Sequence, residues 1–115
     1  CRAIGEIGLD YYYDHSPEDT QKVRLEEQLD LALQVELPVV IHSRDAEDDL
    51  LKSLTKYAKK ADRKSPLGVI HCFTGSRKFG QACIDLGFFI SFSGILTLCW
   101  RHSFFCRFCV PVAIA

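Results

Sequence analysis

The sequence predicts an α/β fold of parallel βα units, forming about four of the eight units of a TIM-type barrel. Three observations carry this. Four short apolar runs alternate with segments of helical periodicity, the pattern of strands joined by crossover helices. Three of these strands end in a potential metal ligand, Glu6, His42 and His71. Equivalent strand ends are 36 residues apart from Glu6 to His42, 29 from His42 to His71 and 22 from His71 to Ser93. A barrel of eight units averages roughly 31 residues per unit, so the 115 residues hold about half of one.

The first run covers residues 3–9 and passes into a polar-aromatic loop, 11–15. Ser16-Pro17-Glu18-Asp19 then reads as a helix start, with Ser16 at the N-cap, Pro17 at the first helical position and acids in the first turn. Leu25, Leu29, Ala32 and Leu33 recur at helical spacing. This helix should end near Glu36, because Pro38 disfavours the α conformation at Leu37. The second run, 38–42, is continuously apolar and β-branched, as in a strand buried on both faces. Asp45 is placed to cap the next helix, whose inner face carries Leu50, Leu51, Leu54, Tyr57, Ala58 and Ala61. Ser65-Pro66 closes that segment. The third run is 67–71. A short helix follows with Phe79, Ala82, Cys83 and Leu86 on one face and Gly87 at its C′ position. The fourth run is 88–92, ending at Ser93-Gly94.

Composition is that of an ordinary globular chain, with 48% hydrophobic and 25% charged residues and a formal net charge of -1. Disorder, collagen-like structure and a basic nucleic-acid-binding tail are excluded on these figures. Nucleic acid as a substrate is not, but phosphate attraction must then come from a local patch or a metal. The longest uncharged stretch, 86–100, has 15 residues, short of the roughly 18 that suggest a membrane span. No signal peptide is visible before the first run, and the chain, which starts at Cys1 without a methionine, is expected to be cut from something longer. Of the six cysteines, Cys72 sits beside a strand-end histidine, Cys83 lies on an apolar helix face, and Cys99, Cys106 and Cys109 crowd into the last 17 residues; this placement is unlike a disulfide framework and points to a reducing, cytoplasmic setting.

Glu6, His42 and His71 lie where parallel α/β folds carry their chemistry, at the C-terminal edge of the strands. Imidazole and carboxylate together suit Zn²⁺, Mn²⁺ or Fe²⁺ better than Ca²⁺. A carboxylate can bridge two ions, which together activate water and stabilise a leaving oxygen. A histidine at one strand end alone is commonly just a hydrogen-bonded structural residue. Three such groups in register are harder to explain that way.

The strings AIGEIGLDYYYD, PVVIHSRDA, GVIHCFTGS and GFFISFSGI, in this order over residues 3–97, resemble the TatD family of metal-dependent deoxyribonucleases, amidohydrolase-like TIM barrels. The resemblance implies hydrolysis of phosphodiester bonds in DNA by metal-activated water, with two divalent ions, Zn²⁺, Mn²⁺ or Mg²⁺. It implies that Glu6 is the metal-bridging, catalytic glutamate and that His42 and His71 are metal ligands. Arg44 would sit at the site mouth, where a guanidinium holds a phosphate oxygen by paired hydrogen bonds; the alternative is an ion pair with Asp48. Asp10 either supports the site or turns the loop. Tyr11, Tyr12 and Tyr13 either stack a base at the mouth or cover the barrel rim. Lys52, Lys56, Lys59, Lys60, Arg63 and Lys64 either touch a DNA backbone or solvate an outer helix face.

The family's opening H-x-H pair and its last-strand aspartate have no counterpart in this sequence, so the resemblance places the chain at strands four to seven of eight. Residues 1–97 are expected to form a partial hydrolase domain, inactive alone, and 98–115 a divergent, apolar, Cys-rich tail from a truncated, shifted or spliced reading of the gene. In that tail Cys106, Cys109 and His102 offer only half of a zinc site. DNA is the expected partner, with no membrane and no obligate protein partner. The alternatives are an amidohydrolase-like enzyme acting on a cyclic amide or lactone, and a catalytically dead half-barrel or interaction fragment.

Overall fold

The computed structural model describes residues 1–13, 15–61 and 67–94. The element order is β1 (Ile4–Asp10), α1 (Glu18–Gln34), β2 (Val39–Arg44), α2 (Glu47–Lys60), β3 (Gly68–Ile70), α3 (Arg77–Leu86) and β4 (Phe89–Ile90). The strands form one sheet in the order β1-β2-β3-β4, and every neighbouring pair is parallel. Strands in sequential order joined by helices are four consecutive βα units of a TIM-type barrel, as the sequence predicts. The expectations about 98–115, Ser65-Pro66, Arg63 and Lys64 lie outside the described residues.

Alternation along the strands builds the core. Ile7 and Leu9 of β1, Val39 and Ile41 of β2 and Ile70 of β3 are buried, together with Leu25, Leu29, Leu50, Leu54, Phe79 and Cys83 from the helices. Each fully buried Leu contributes roughly 1.5–3 kcal/mol over an exposed one. The helices pack in series, α1 on α2 and α2 on α3. The residues that face the other way, Val40, His42 and Arg44, are only half-buried. The expectation that β2 is buried on both faces is thus corrected: one face is the core, and the other carries the polar groups.

Two helix starts differ from expectation. Pro17, not Ser16, is the N-cap of α1, and it offers no side-chain cap. Asp45 cannot cap α2, because its own φ is 53° and the N-cap is Ala46. The cap that does form is at α3, where the Ser76 hydroxyl accepts from the Phe79 amide at 3.2 Å. Gly87 closes α3 as predicted, with φ 103°. The Gly87 and Phe88 amides bond back to Ile84 and Cys83, the paired bonds of a Schellman end. Helix α1 ends the same way, but Glu36 occupies the left-handed position, with φ 54°, and Leu37 donates to the Ala32 carbonyl.

Cys1, Cys72 and Cys83 are free thiols; Cys99, Cys106 and Cys109 lie outside the described residues. Burial pushes the Cys83 thiol up to about 12, so it is an inert core residue. Among the described residues no helix is long and apolar enough to cross a membrane.

Candidate metal and phosphate site

The site is built where β1 and β2 pair. Gly8 stands opposite His42 in the ladder, and Asp10 opposite Arg44. Between the paired positions, two residues of β1, Gly5 and Glu6, stand against one of β2, Val40. This irregularity falls at Gly5-Glu6, and such bulges re-aim side chains. Beyond it Ile7 and Leu9 enter the core, while Glu6, Gly8 and Asp10 share the face of His42. Gly8 has no side chain, so the His42 ring lies between its diagonal neighbours Glu6 and Asp10. Close approach requires that glycine: a Cβ on Gly8 would stand 1.9 Å from the His42 carbonyl oxygen.

Both imidazole nitrogens face carboxylates. His42 Nε2 is 2.8 Å from Asp10 Oδ2, and Nδ1 is 3.2 Å from Glu6 Oε1. Asp10 both supports the site and turns the loop, one oxygen for each: its Oδ1 accepts from the Tyr12 and Tyr13 amides at 3.0 and 3.1 Å. Burial alone would raise the Asp10 pKa. The hydrogen bonds from His42, Tyr13 and Tyr12 outweigh it and hold the carboxyl below its ordinary value.

The sequence reading also missed Gln21. Its Oε1 accepts from the Asp10 amide at 2.8 Å, and its Nε2 donates to the Asp10 and Ser16 carbonyls at 2.9 and 2.8 Å. The side-chain amide thus pairs with the outer edge of β1 as a neighbouring strand would, one turn into α1. No local pattern marks it, because the contact joins residues 11 apart.

Of the predicted ligands, Glu6 and His42 are brought together. His71 is not in contact with either. It follows β3, its amide bonds to the Ile41 carbonyl at 2.8 Å, and its side chain is exposed. Its backbone therefore continues the ladder beside His42. No group of three His, Cys, Asp or Glu side chains converges on one point among the described residues. The strand-end description also needs correction: Glu6 is the third residue of β1, and His42 lies two residues before the end of β2. Pairing of Ser43 and Arg44 with Leu9 and Asp10 extends the strand past its apolar run.

Arg44 forms no ion pair with Asp48. Its guanidinium carbon lies 5.4 and 5.1 Å from the Tyr12 and Tyr13 ring centroids. Tyr11 is separate from these rings: it is half-buried, and its hydroxyl donates to Asp49 Oδ2 at 3.1 Å. Of the lysine cluster, Lys52, Lys56 and Lys60 pair with Asp49, Glu26 and Asp30, the solvated-face alternative. A cleft of about 570 Å³ beside Tyr11 and Ser43 carries Asp45, Glu47, Asp48 and Asp49. Four carboxylates make it unfit for a polyanion, and Glu6, His42 and His71 do not line it.

A family model described as TatD related DNase matches residues 1–102. The uncharacterized metal-dependent hydrolase YabD of Bacillus subtilis is 43% identical over 95 residues, 83% of this chain and 36% of that protein. The deoxyribonuclease Tat-D of Schizosaccharomyces pombe is 44% identical over 93 residues, 80% of this chain and 29% of that protein. The crystal structure of YjjV, a TatD homologue from Escherichia coli K12, superposes with a TM-score of 0.68 at 37% identity, covering 77% of this chain and 32% of that one. The chain thus spans about a third of the length of the curated relatives it matches. Its four parallel units, the order of its motifs and the match over residues 1–102 together show that it belongs to the TatD family.

Proposed function

We propose that this chain is a four-unit part, residues 1–97, of a metal-dependent hydrolase that cleaves phosphodiester bonds in DNA, followed by a divergent segment, 98–115. The observation that carries the reading is the Glu6–His42–Asp10 row. His42 Nε2 faces Asp10 and Nδ1 faces Glu6 Oε1 at 3.2 Å, so a bound ion between Nδ1 and Glu6 would take the place of a proton there, with Asp10 orienting the ring. Ligand atoms about 2.0–2.2 Å from one divalent ion stand roughly 3.0–3.5 Å apart, so this pair fits a metal.

Glu6 and His42 would hold the ions, with His71 joining from the neighbouring ladder position. Two ions of the Zn²⁺, Mn²⁺ or Mg²⁺ kind, when bound, supply Lewis acidity toward water and the phosphoryl oxygens. Asp10 keeps the imidazole oriented. Arg44, with no carboxylate partner among the described residues, offers its N–H fork to a phosphate oxygen. The absence of that neutralisation favours phosphate over a cyclic amide or lactone.

Calorimetric titration of the 115-residue chain with Mn²⁺ tests the site. Binding should be measurable in the wild type and lost in Glu6→Gln and His42→Ala, and unchanged binding in both variants would sink the proposal. The chain alone should show no appreciable turnover of a DNA oligonucleotide, because it spans a third of the relatives. Clear metal-dependent cleavage by the purified chain refutes that expectation. Hydrolysis of amides or lactones in place of DNA would overturn the substrate class.

A further inference from the structure

Among the described residues the sheet has two open edges, since β1 pairs only with β2 and β4 only with β3. The edges are complementary. On β1 the Asp10 amide and carbonyl point away from β2, toward Gln21. Backbone groups alternate along a strand, so those of Gly8 point outward too. On β4 the Ser91 amide and carbonyl bond the Ile70 carbonyl and the Phe73 amide, on the β3 side. Those of Ile90 therefore point outward. Such edges are templates for another strand.

Two apolar surfaces run out to the same edges. Val40, Val69 and Phe89 stand side by side along the ladder, on the face opposite the core, and Phe89 is 64% exposed. Branched residues such as Val40 and Val69 are the kind that fill a barrel interior. On α1, Glu26 and Asp30 pair with Lys56 and Lys60 of α2. Leu31 and Val35 lie about 140° round the helix from them, turned away from α2, and are 45% and 46% exposed.

A peptide strand added at one edge would leave the inner row bare and another edge open. A second copy of the chain covers both. Four strands and four more make eight, the number whose interior side chains just fill. A two-fold axis through the barrel centre sets each β4 beside a β1, both parallel, and leaves no edge. We infer that two copies of this chain close into one eight-stranded barrel, β4 of each paired with β1 of the other. Joining the Gly8 amide to the Ile90 carbonyl across that seam sets Ile7 beside Ile90, and both of these side chains pack on the core side. Val40, Val69 and Phe89 of the two copies fill the interior. Closure follows from the sheet and does not rest on the phosphodiester reading.

Sedimentation velocity of the 115-residue chain over a concentration series tests it. The chain should reach twice the mass of one copy and go no further, because closure leaves no free edge. Phe89→Lys puts a charge into the interior and should hold the chain at the mass of one copy. Val23→Lys changes a residue 56% exposed on the α1 face away from Leu25, and should leave the dimer intact. Both side chains are exposed, and circular dichroism verifies folding. The Gly8 amide should exchange at least about fivefold more slowly in the wild type than in Phe89→Lys, the effect of one hydrogen bond. A wild type that stays at the mass of one copy overturns the closed barrel. Growth past two copies, as open-ended addition gives, overturns it as well, and so does a dimer that survives Phe89→Lys. The Mn²⁺ titration above reads the metal site separately in each case.

Discussion

Replacing Gly8 with alanine puts a methyl group 1.9 Å from the His42 carbonyl oxygen, where ordinary contact begins near 3.4 Å. The clash is with backbone, so no side chain can swing aside. Strands β1 and β2 must part locally by about 1.5 Å, the difference between those two distances. That carries nearby ladder bonds, such as the 3.0 Å bond from the Tyr11 amide to the Arg44 carbonyl, beyond hydrogen-bonding range. Two or three such bonds at about 1 kcal/mol each, with about 1–2 kcal/mol for a non-glycine residue at the Gly8 backbone angle, give a loss of about 3–5 kcal/mol. Against a total of about 5–15 kcal/mol for a natural domain, this is a large fraction. Urea unfolding measures it, with Gly94→Ala as the control because a Cβ there meets nothing within 4 Å. The control should stay within about 0.5 kcal/mol of wild type. The imidazole ¹⁵N shifts of His42 should move in Gly8→Ala, since the ring loses its two flanking carboxylates. A Gly8→Ala cost below about 1 kcal/mol would refute the close-approach argument.

Gln21→Ala removes all three partners that Gln21 gives to Asp10 and Ser16. The expected cost is about 1–3 kcal/mol, with faster hydrogen exchange at the Asp10 amide; unchanged exchange there would show that the contact does not form in solution. Asp10 has a folded-state pKa below its unfolded value. Its ionised form therefore adds stability that is present above the unfolded value and is lost as pH falls through the folded one. Urea midpoints should fall on acidification across that window, and more weakly in Asp10→Asn; equal slopes in both proteins contradict the assignment. Glu36→Gly should raise stability by roughly 0.5–1 kcal/mol, because a left-handed helix end favours glycine. A lower thermal midpoint in that variant counts against the strain.

The helix faces were readable because their period is local. Leu25, Leu29 and Ala32, then Leu50, Leu54, Tyr57 and Ala58, are buried as the 3.6-residue spacing requires. Helix starts were less readable. Ser16 and Asp45 have the right chemistry for caps, but the chain path around Pro17 and the positive φ of Asp45 deny them the geometry. For Arg44, an acidic residue four positions along suggested an ion pair. Two tyrosines 32 and 31 residues earlier in the chain hold it instead, and no helical spacing reveals that.

By itself, the sequence determined that parallel strands alternate with helices, which residues fill the core, and that Glu6 and His42 belong to the strand layer where chemistry is found. Those properties follow from period, branching and turn residues within a few positions of each other. The tertiary structure alone decided that a bulge at Gly5-Glu6 and the bare backbone of Gly8 leave His42 between two carboxylates. It also decided that Gln21 secures one of them, while His71 stays apart from both. These are matters of register and packing between separate segments: the His42–Asp10 bond joins residues 32 apart and the Gln21–Asp10 contact residues 11 apart. A one-residue slip would turn every one of those side chains to the opposite face.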